Sequence, residues 1–493
     1  MTPSPQQAAF YDWVQNGSGS CVLEAVAGAG KTTTVVNSLR MMSGDVFFGA
    51  YNKAIAEEIK ERVPSGTKAK IDVGTFHAAG FRFWRRVAKG VQVDGNKCRT
   101  IFRGAVERHP EYTAFESSVL QLVSLAKQAG LGALKPMNEA SWSDLIDHYD
   151  IECPNTVDGQ DGTSLTMKLA CRLLKESIAK DHDVVDFDDM IFAPLYHNAR
   201  VWEHDWVLVD EAQDTNATRR ALALRMLKRG GRLVAVGDPR QAIYGFTGAD
   251  SDALDLIAQA VSAKRLPLTT TYRCPKAVVK FAQNWVNHIQ AAETAPEGEK
   301  IESTLDKLAE TAKPGDAVLC RFTAPLVSNV YAFISKGIPA KIEGREIGEG
   351  LKALATRWKT DSLAKLETYL ASYQEVECAK LRAKEKESKA AALEDKIACL
   401  GVLIARVKNN NAKAGVHELL VEIDKIFGDS TDRKAVVTFS TIHKSKGREW
   451  NTVVWLFAGP SPWARKAWEQ AQEDNLCYVA ATRAKQKLVV VPV

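Results

Sequence analysis

The sequence has no CxxC pair, no histidine–cysteine cluster and no apolar run approaching the roughly 20 residues a membrane-spanning helix requires. Its nine cysteines are odd in number and scattered from Cys21 to Cys477. That pattern excludes a disulfide framework or a zinc ribbon and leaves reduced thiols. The N-terminal stretch MTPSPQQAAFYDW lacks the basic and apolar regions of a signal peptide, so a soluble, cytoplasmic protein without a membrane partner is expected. Charge of one sign is scarce too. The 65 Lys+Arg against 60 Asp+Glu leave a net +5, too little to demand a nucleic-acid partner, although a local basic groove fits within it. No fixed-period repeat marks a solenoid. What is present is ordinary globular composition, 45% hydrophobic and 25% charged over 493 residues, enough for several cores and against disorder or a coiled-coil rod.

Short β-branched runs recur at 21–26, 46–51, 206–210, 232–237, 317–322, 436–439, 452–457 and 488–491. Nearly continuous apolar runs of this length predict strands covered on both faces, joined by helical crossovers, hence an α/β chain with parallel sheets. They form two groups, before residue 250 and after residue 315, which predicts two sheet domains. Helical patterns interrupt both. One interruption spans 86–184; the other spans 346–433 and includes 351–400, free of Gly and Pro, with solvated, charge-rich helix faces. The expected layout is a first sheet domain in two parts (1–85 and 185–265) around a helical insertion (86–184). A second sheet domain follows, also in two parts (266–345 and 434–493), around a second insertion (346–433).

The first strand runs into Ala25-Val-Ala-Gly-Ala-Gly-Lys-Thr32 and a helical pattern, a Walker A loop with Ala25 at the usual first glycine. Gly28 and Gly30 let the backbone curl so that the N–H groups from Ala27 through Ala29 face a phosphate at the N-terminus of the next helix. Lys31 would reach the β/γ-phosphates of ATP, the Thr32 hydroxyl would ligate Mg²⁺, and Thr33 follows in the same turn. A second apolar strand ends in Val209-Asp-Glu-Ala-Gln-Asp214. There Asp210 is the candidate metal carboxylate and Glu211 the candidate base orienting the attacking water. More than a third of the chain separates Lys31 from Asp210, so much of it must loop out if both meet one phosphate.

In this order the motifs resemble the UvrD/Rep/PcrA family of superfamily-one DNA helicases, from Gln6 to Arg483. Gln6-Gln-Ala-Ala9 is similar to the adenine-reading Q motif, with Gln6 as reader. Tyr51-Asn-Lys-Ala54 resembles motif Ia and Gly74-Thr-Phe-His77 motif Ib, implying DNA contacts from Tyr51, Asn52, Thr75, Phe76 and His77. Asp210 to Asn216 is similar to motif II. In Gly237-Asp-Pro-Arg-Gln-Ala-Ile-Tyr-Gly-Phe246 the resemblance makes Gln241 the γ-phosphate sensor and places Tyr244 and Phe246 on DNA. In Thr271-Tyr-Arg-Cys274 it makes Tyr272 an adenine platform and Arg273 a γ-phosphate contact. The stretch from Thr441 to Trp450 resembles motif V, with His443 toward DNA and Glu449 on the ribose. Tyr478-Val-Ala-Ala-Thr-Arg-Ala484 resembles motif VI, with Arg483 as second arginine finger. Departures are local: Phe246-Thr247 stands where the family usually has Trp-Arg, Ala50 where motif Ia usually has its aromatic, and Thr33 where the family often has arginine.

The resemblance implies two RecA-like parallel-sheet P-loop domains with two mainly helical insertions. It also implies ATP and Mg²⁺ as cofactors, and a monomer acting on single-stranded DNA and single/double-strand junctions. The expected activity is ATP-dependent DNA unwinding with 3′→5′ movement, driven by closure of the two domains. The alternative is a single-stranded-DNA translocase that strips bound proteins with little unwinding.

Overall fold

Strands buried on both faces need helices above and below, and parallel neighbours need crossovers long enough to hold them. The computed structural model meets both demands. It describes residues 3–154, 161–245, 248, 250, 252–336, 338–383, 387–427, 435–459, 464 and 467–493. Two six-stranded sheets, parallel throughout, lie in separate units: one holds the chain up to Ala25 and Gly30–Leu268, the other Val26–Ala29 and Thr269–Val493.

In the first unit the strands are β1 (Cys21–Ala25), β2 (Asp45–Ala50), β3 (Lys70–Thr75), β4 (His204–Val209), β5 (Leu227–Gly237) and β6 (Lys264–Leu268). Their order is β3-β2-β4-β5-β1-β6. Leu23 lies opposite Val236 and Leu266, and Phe48 opposite Val73 and Leu208. The central residues Val22, Leu23, Phe47, Phe48, Leu208 and Val234 are sealed from solvent. Between β3 and β4 the chain departs into helices Lys97–Val106, Glu116–Ala129, Glu139–Tyr149 and Gly162–Ala179, which share a core around Phe115, Leu122, Leu169 and Leu174.

A parallel clasp closes the root of this insertion. Gln92–Val93 lies beside Val184–Val185, with Gln92 N–H donating to Asp183 O and Asp94 N–H to Val185 O, both at 2.9 Å. Beneath it sits an ion network the sequence did not announce. Lys97 Nζ reaches Asp181 and Asp189 at 2.6 and 2.8 Å, and Lys127 Nζ reaches Asp186 and Asp189, each at 2.6 Å. Both lysines are at most 2% exposed.

The second unit carries β7 (Glu299–Glu302), β8 (Ala317–Cys320), β9 (Ala340–Ile342), β10 (Val437–Thr441), β11 (Trp450–Phe457) and β12 (Ala484–Pro492), in the order β7-β12-β11-β8-β10-β9. Its helical segment contains Leu363–Ala383, Glu387–Asn410 and Val416–Ile426, which bury Leu366, Leu370, Leu400, Leu403, Ile404 and Leu419. Asp395, on the second of these, accepts backbone hydrogen bonds from Thr323 and Ala324 at 2.9 and 2.8 Å, capping helix Thr323–Ser335. The α/β class, the two parallel sheets and the helical character of both interruptions agree with the reading of the sequence. No helix among the described residues is long and apolar enough to cross a membrane.

Candidate active site

Three strands of the first sheet deliver the site, each at its C-terminal end, where open parallel sheets bind ligands. β1 leads into the loop before helix Lys31–Ser38; β5, its neighbour, ends at Gly237; β4, next in the sheet, ends at Val209. Gly28 and Gly30 have φ of 72° and 77°, left-handed values that a side chain disfavours, so the loop's curl needs glycine there. Gly30 is also the N-cap of helix Lys31–Ser38, leaving its first N–H groups without a side-chain acceptor, as an anion site requires.

Lys31 Nζ lies 3.3 Å from Glu211 Oε1. Burial alone would lower the Lys31 pKa, but the charges of Glu211, Asp238 and Asp210 outweigh it and hold the ammonium above the usual lysine value. The acids respond in kind. Burial first, then repulsion from Glu211, pushes Asp210 up to about 7, and burial raises Asp238 as well. Asp210 Oδ1 is buried without a hydrogen-bond partner. An orphaned carboxylate oxygen beside a phosphate loop fits a cation, and Mg²⁺ asks for only one or two protein ligands when phosphates and water supply the rest. Among the described residues no group of three or more His, Cys, Asp or Glu is placed to hold a metal by itself.

Glu211 itself adopts φ 47°, ψ 45°, a strained backbone for a non-glycine residue at the end of β4. Its carboxylate accepts a hydrogen bond from Gln213 Nε2. Gln213 Oε1 in turn accepts from Asp238 N–H at 3.1 Å, and Gln241 Nε2 donates to Asp238 Oδ2 at 2.6 Å. The structure thus brings Lys31, Asp210, Glu211 and Gln241 together and adds two residues to which the sequence reading gave no role, Gln213 and Asp238. The signal for Asp238 was present: like Asp210, it is an acid at the end of an apolar strand.

At the edge of this site Gln7, the neighbour of Gln6, reaches the loop helix. Its Nε2 donates to Thr34 Oγ1 at 3.0 Å, while its Oε1 accepts from Ser4 N–H at 3.0 Å. Thr33 Oγ1 accepts from Arg62 Nη2 at 2.6 Å, so a guanidinium lies beside the position where the sequence lacks an arginine. Thr32 is half-buried in the first turn of helix Lys31–Ser38.

The second unit holds the other residues expected at the nucleotide. Ala27 N–H donates to Tyr478 Oη at 2.8 Å and Tyr272 N–H to Gly28 O at 2.9 Å. The Tyr272 side chain is 49% exposed, open to stacking. Arg273 Nε donates to Glu449 Oε2 at 2.6 Å, and Glu449 also faces Lys485 at 3.6 Å. Burial would raise the Glu449 pKa, but Arg273 and Lys485 prevail and hold it below the usual value. Arg483 is 1% exposed, with Nε donating to Val479 O at 3.0 Å and Nη1 to Arg448 O at 3.2 Å.

The residues expected on DNA divide. Tyr51 and Tyr244 stack, with ring centroids 6.3 Å apart and planes 10° from parallel. His77 is held neutral, its pKa lowered to about 4 by burial and by Arg219. Phe76 is 5% exposed and packs edge-on against Phe47 at 5.5 Å, filling the space over Gly49, so most of its ring belongs to the core. Asn52 and Thr75 cap helices Lys53–Arg62 and Phe76–Val87, accepting from Ile55 N–H and Ala78 N–H at 2.9 and 3.1 Å. His443 Nε2 is buried, and burial, with Arg321 and Lys446 adding repulsion, lowers its pKa to about 3. Phe246 lies outside the described residues.

The family model of the UvrD/REP helicase N-terminal domain matches residues 6–262, and that of the UvrD-like helicase C-terminal domain matches 346–492. Among curated proteins the chain is similar to ATP-dependent DNA helicase Rep of Salmonella typhimurium, 26% identical over 308 residues, covering 57% of this chain and 42% of Rep. It is also similar to ATP-dependent DNA helicase PcrA of Staphylococcus epidermidis, 24% identical over 58% of this chain and 40% of PcrA. A third relative, DNA helicase IV of Escherichia coli, is 24% identical over 64% of this chain and 54% of that protein. The chain therefore spans about half or less of the curated relatives it matches.

Proposed function

The chain belongs to the UvrD/REP helicase family, and from that premise we propose that it is a DNA-dependent ATPase that moves along single-stranded DNA, 3′→5′, and separates duplex strands. The observation that carries the reading is the buried cluster in which Lys31 faces Glu211, Asp210 and Asp238, with Asp210 Oδ1 lacking a partner. A lone lysine among three acids is over-supplied with negative charge until a cation joins it. Asp210 and Thr32 would hold Mg²⁺, which would supply positive charge to offset that of the phosphates. Lys31 would hold the β/γ-phosphates, the loop amides would cradle them, and Glu211 would orient the lytic water. Gln213 and Gln241, linked through Asp238, would fix Glu211 and report on the terminal phosphate.

On the second unit, Tyr272 would stack on adenine, with Gln6 reading its edge. Arg273 would exchange Glu449 for a phosphate while Glu449 turned to the ribose, and Arg483 would leave its carbonyl partners to meet the same phosphate. Closure of two RecA-like domains, polarity, junction binding and a monomeric working state are implied by the family and belong to this proposal. So does the layout with domain 1A at 1–85 and 185–265, insertion 1B at 86–184, domain 2A at 266–345 and 434–493, and insertion 2B at 346–433.

The test is ATP-driven strand separation on matched duplexes carrying a 3′ or a 5′ single-stranded tail. Unwinding of the 3′-tailed duplex alone is expected. ATP hydrolysis stimulated by single strands with neither duplex opened would replace unwinding by protein-stripping translocation; a 5′ preference would overturn the polarity.

A further inference from the structure

Arg219 occupies a position that its own surroundings do not explain. It stands in the first turn of helix Ala217–Arg225, where the helix dipole disfavours a cation. Its side chain is largely buried and Nε has no hydrogen-bond partner. Among the described residues the side chain's hydrogen bond is a long one, from Nη1 to Asp214 O at 3.5 Å. Among the described residues no carboxylate lies within 4.0 Å of the guanidinium, although its neighbour Arg220 pairs directly with Asp250. The guanidinium instead lies 5.8 Å from the centre of the Tyr51 ring, the ring that stacks on Tyr244. Burial lowers the Arg219 pKa against the pull of Tyr51, Asp214 and Asp188, a sign of a cation short of counter-charge.

The same residue lines a narrow cleft with Tyr51, His77, Thr215, Asp210 and Glu211. One wall therefore carries residues expected at DNA, and the other the acids expected at ATP. The free space is about 10 Å³, room for one water and far too little for a phosphate. An anion approaching from the Tyr51 side would have to draw the guanidinium outward to meet it.

We propose that Arg219 couples single-stranded DNA to ATP hydrolysis: a backbone phosphate arriving beside Tyr51 and His77 supplies the missing counter-charge and draws the guanidinium out of the narrow cleft it shares with Glu211 and Asp210, which opens room beside Glu211 for the lytic water. His77, neutral at the mouth, does not compete for the phosphate as a second cation but can donate a hydrogen bond to it. Arg219 is thus a positioning residue for Glu211 and a contact to the DNA backbone. The inference rests on the DNA-dependent ATPase reading above.

The experiment compares wild type, Arg219→Gln and Arg219→Lys as full chains, with oligo(dT) as the DNA. Three quantities are read: the ratio of ATP turnover with saturating oligo(dT) to turnover without it, the slope of log affinity against log salt, and the melting temperature. In Arg219→Gln the turnover ratio is expected to fall at least tenfold. The salt slope should shrink by about 0.7, the value for one single-strand phosphate contact. Arg219→Lys should recover part of both. The Arg219→Gln chain should melt no lower than wild type, because an unpaired buried cation has been removed. An unchanged ratio and slope in Arg219→Gln, with wild type fully stimulated, overturns the coupling role alone. A full ratio with a reduced slope leaves a DNA contact without coupling and also overturns it. A fall in melting temperature of several degrees makes Arg219 a structural residue. Wild-type turnover indifferent to oligo(dT) overturns the DNA-dependent ATPase reading itself, and the inference with it.

Discussion

Lys31 balances three acids, so its removal acts twice. Lys31→Ala deletes the proposed phosphate contact and leaves Asp210, Glu211 and Asp238 to repel one another. ATP turnover should drop below detection in a phosphate-release assay. Glu211→Gln keeps the shape and the Gln213 contact, so nucleotide binding should persist while turnover falls by about 10²–10⁴. Acid should weaken the fold through His77 and His443. Both have folded pKa values below the ordinary 6.5, about 4 and about 3. The unfolded chain therefore binds protons first, and the stability each lends above pH 6.5 is lost as pH falls toward the folded values. Melting temperature should decline from pH 7 to pH 4, and more shallowly in His77→Asn, as thermal scans across that range would show. At this scale the sequence was legible where chemistry is confined to contiguous residues, as in the loop ending Lys31-Thr32. It marked Asp238 only as an acid at a strand end and could not join it to Lys31, or Gln213 to Glu211, because those meetings depend on β5 lying between β4 and β1. Nor could it reveal Phe76 as core, since an aromatic in a DNA-facing motif and one packed on Phe47 have the same letter.

Among the elements, the inner strands were all anticipated and the edge strands were not. β3, β6, β7 and β9 carry Lys70, Lys264 with Arg265, Glu299 with Lys300, and Lys341, charges that blunt an exposed sheet edge and erase the apolar run that marks a buried strand. Helix packing was equally hidden. Helix Phe76–Val87 passes so close to helix Asp189–Tyr196 that a methyl group on Gly80 would strike the Met190 carbonyl oxygen. Backbone cannot yield as a flexible side chain does, so Gly80→Ala should cost about 1–3 kcal/mol, measured by urea denaturation. Asp395→Ala should cost about 1 kcal/mol by uncapping helix Thr323–Ser335. The same measurement checks it, and no change would mean that the cap is redundant.

For the whole molecule, each unit has its own sheet and core, so calorimetric unfolding should depart from a single two-state transition. The helical character of 86–184 and 346–433 was legible because amphipathic periodicity is local, and the grouping of strands into two sheets followed from the gap between them. The clasp and the ion network at the root of the first insertion were not, since residues from Lys97 to Asp189 meet only after the intervening helices have folded back. Lys127→Met would strand Asp186 and Asp189, and should cost about 3–5 kcal/mol. Those two lysines have a further consequence. Their amines are shut away while most of the chain's other lysines stand in water, so an acylating reagent should spare Lys97 and Lys127 for as long as the root stays shut. Once acylated, either amine has lost the charge its aspartates require and cannot settle back among them. Each opening of the root that meets reagent is then recorded permanently, and peptide mass analysis at increasing times would read the two lysines as a clock for how often the first insertion comes loose.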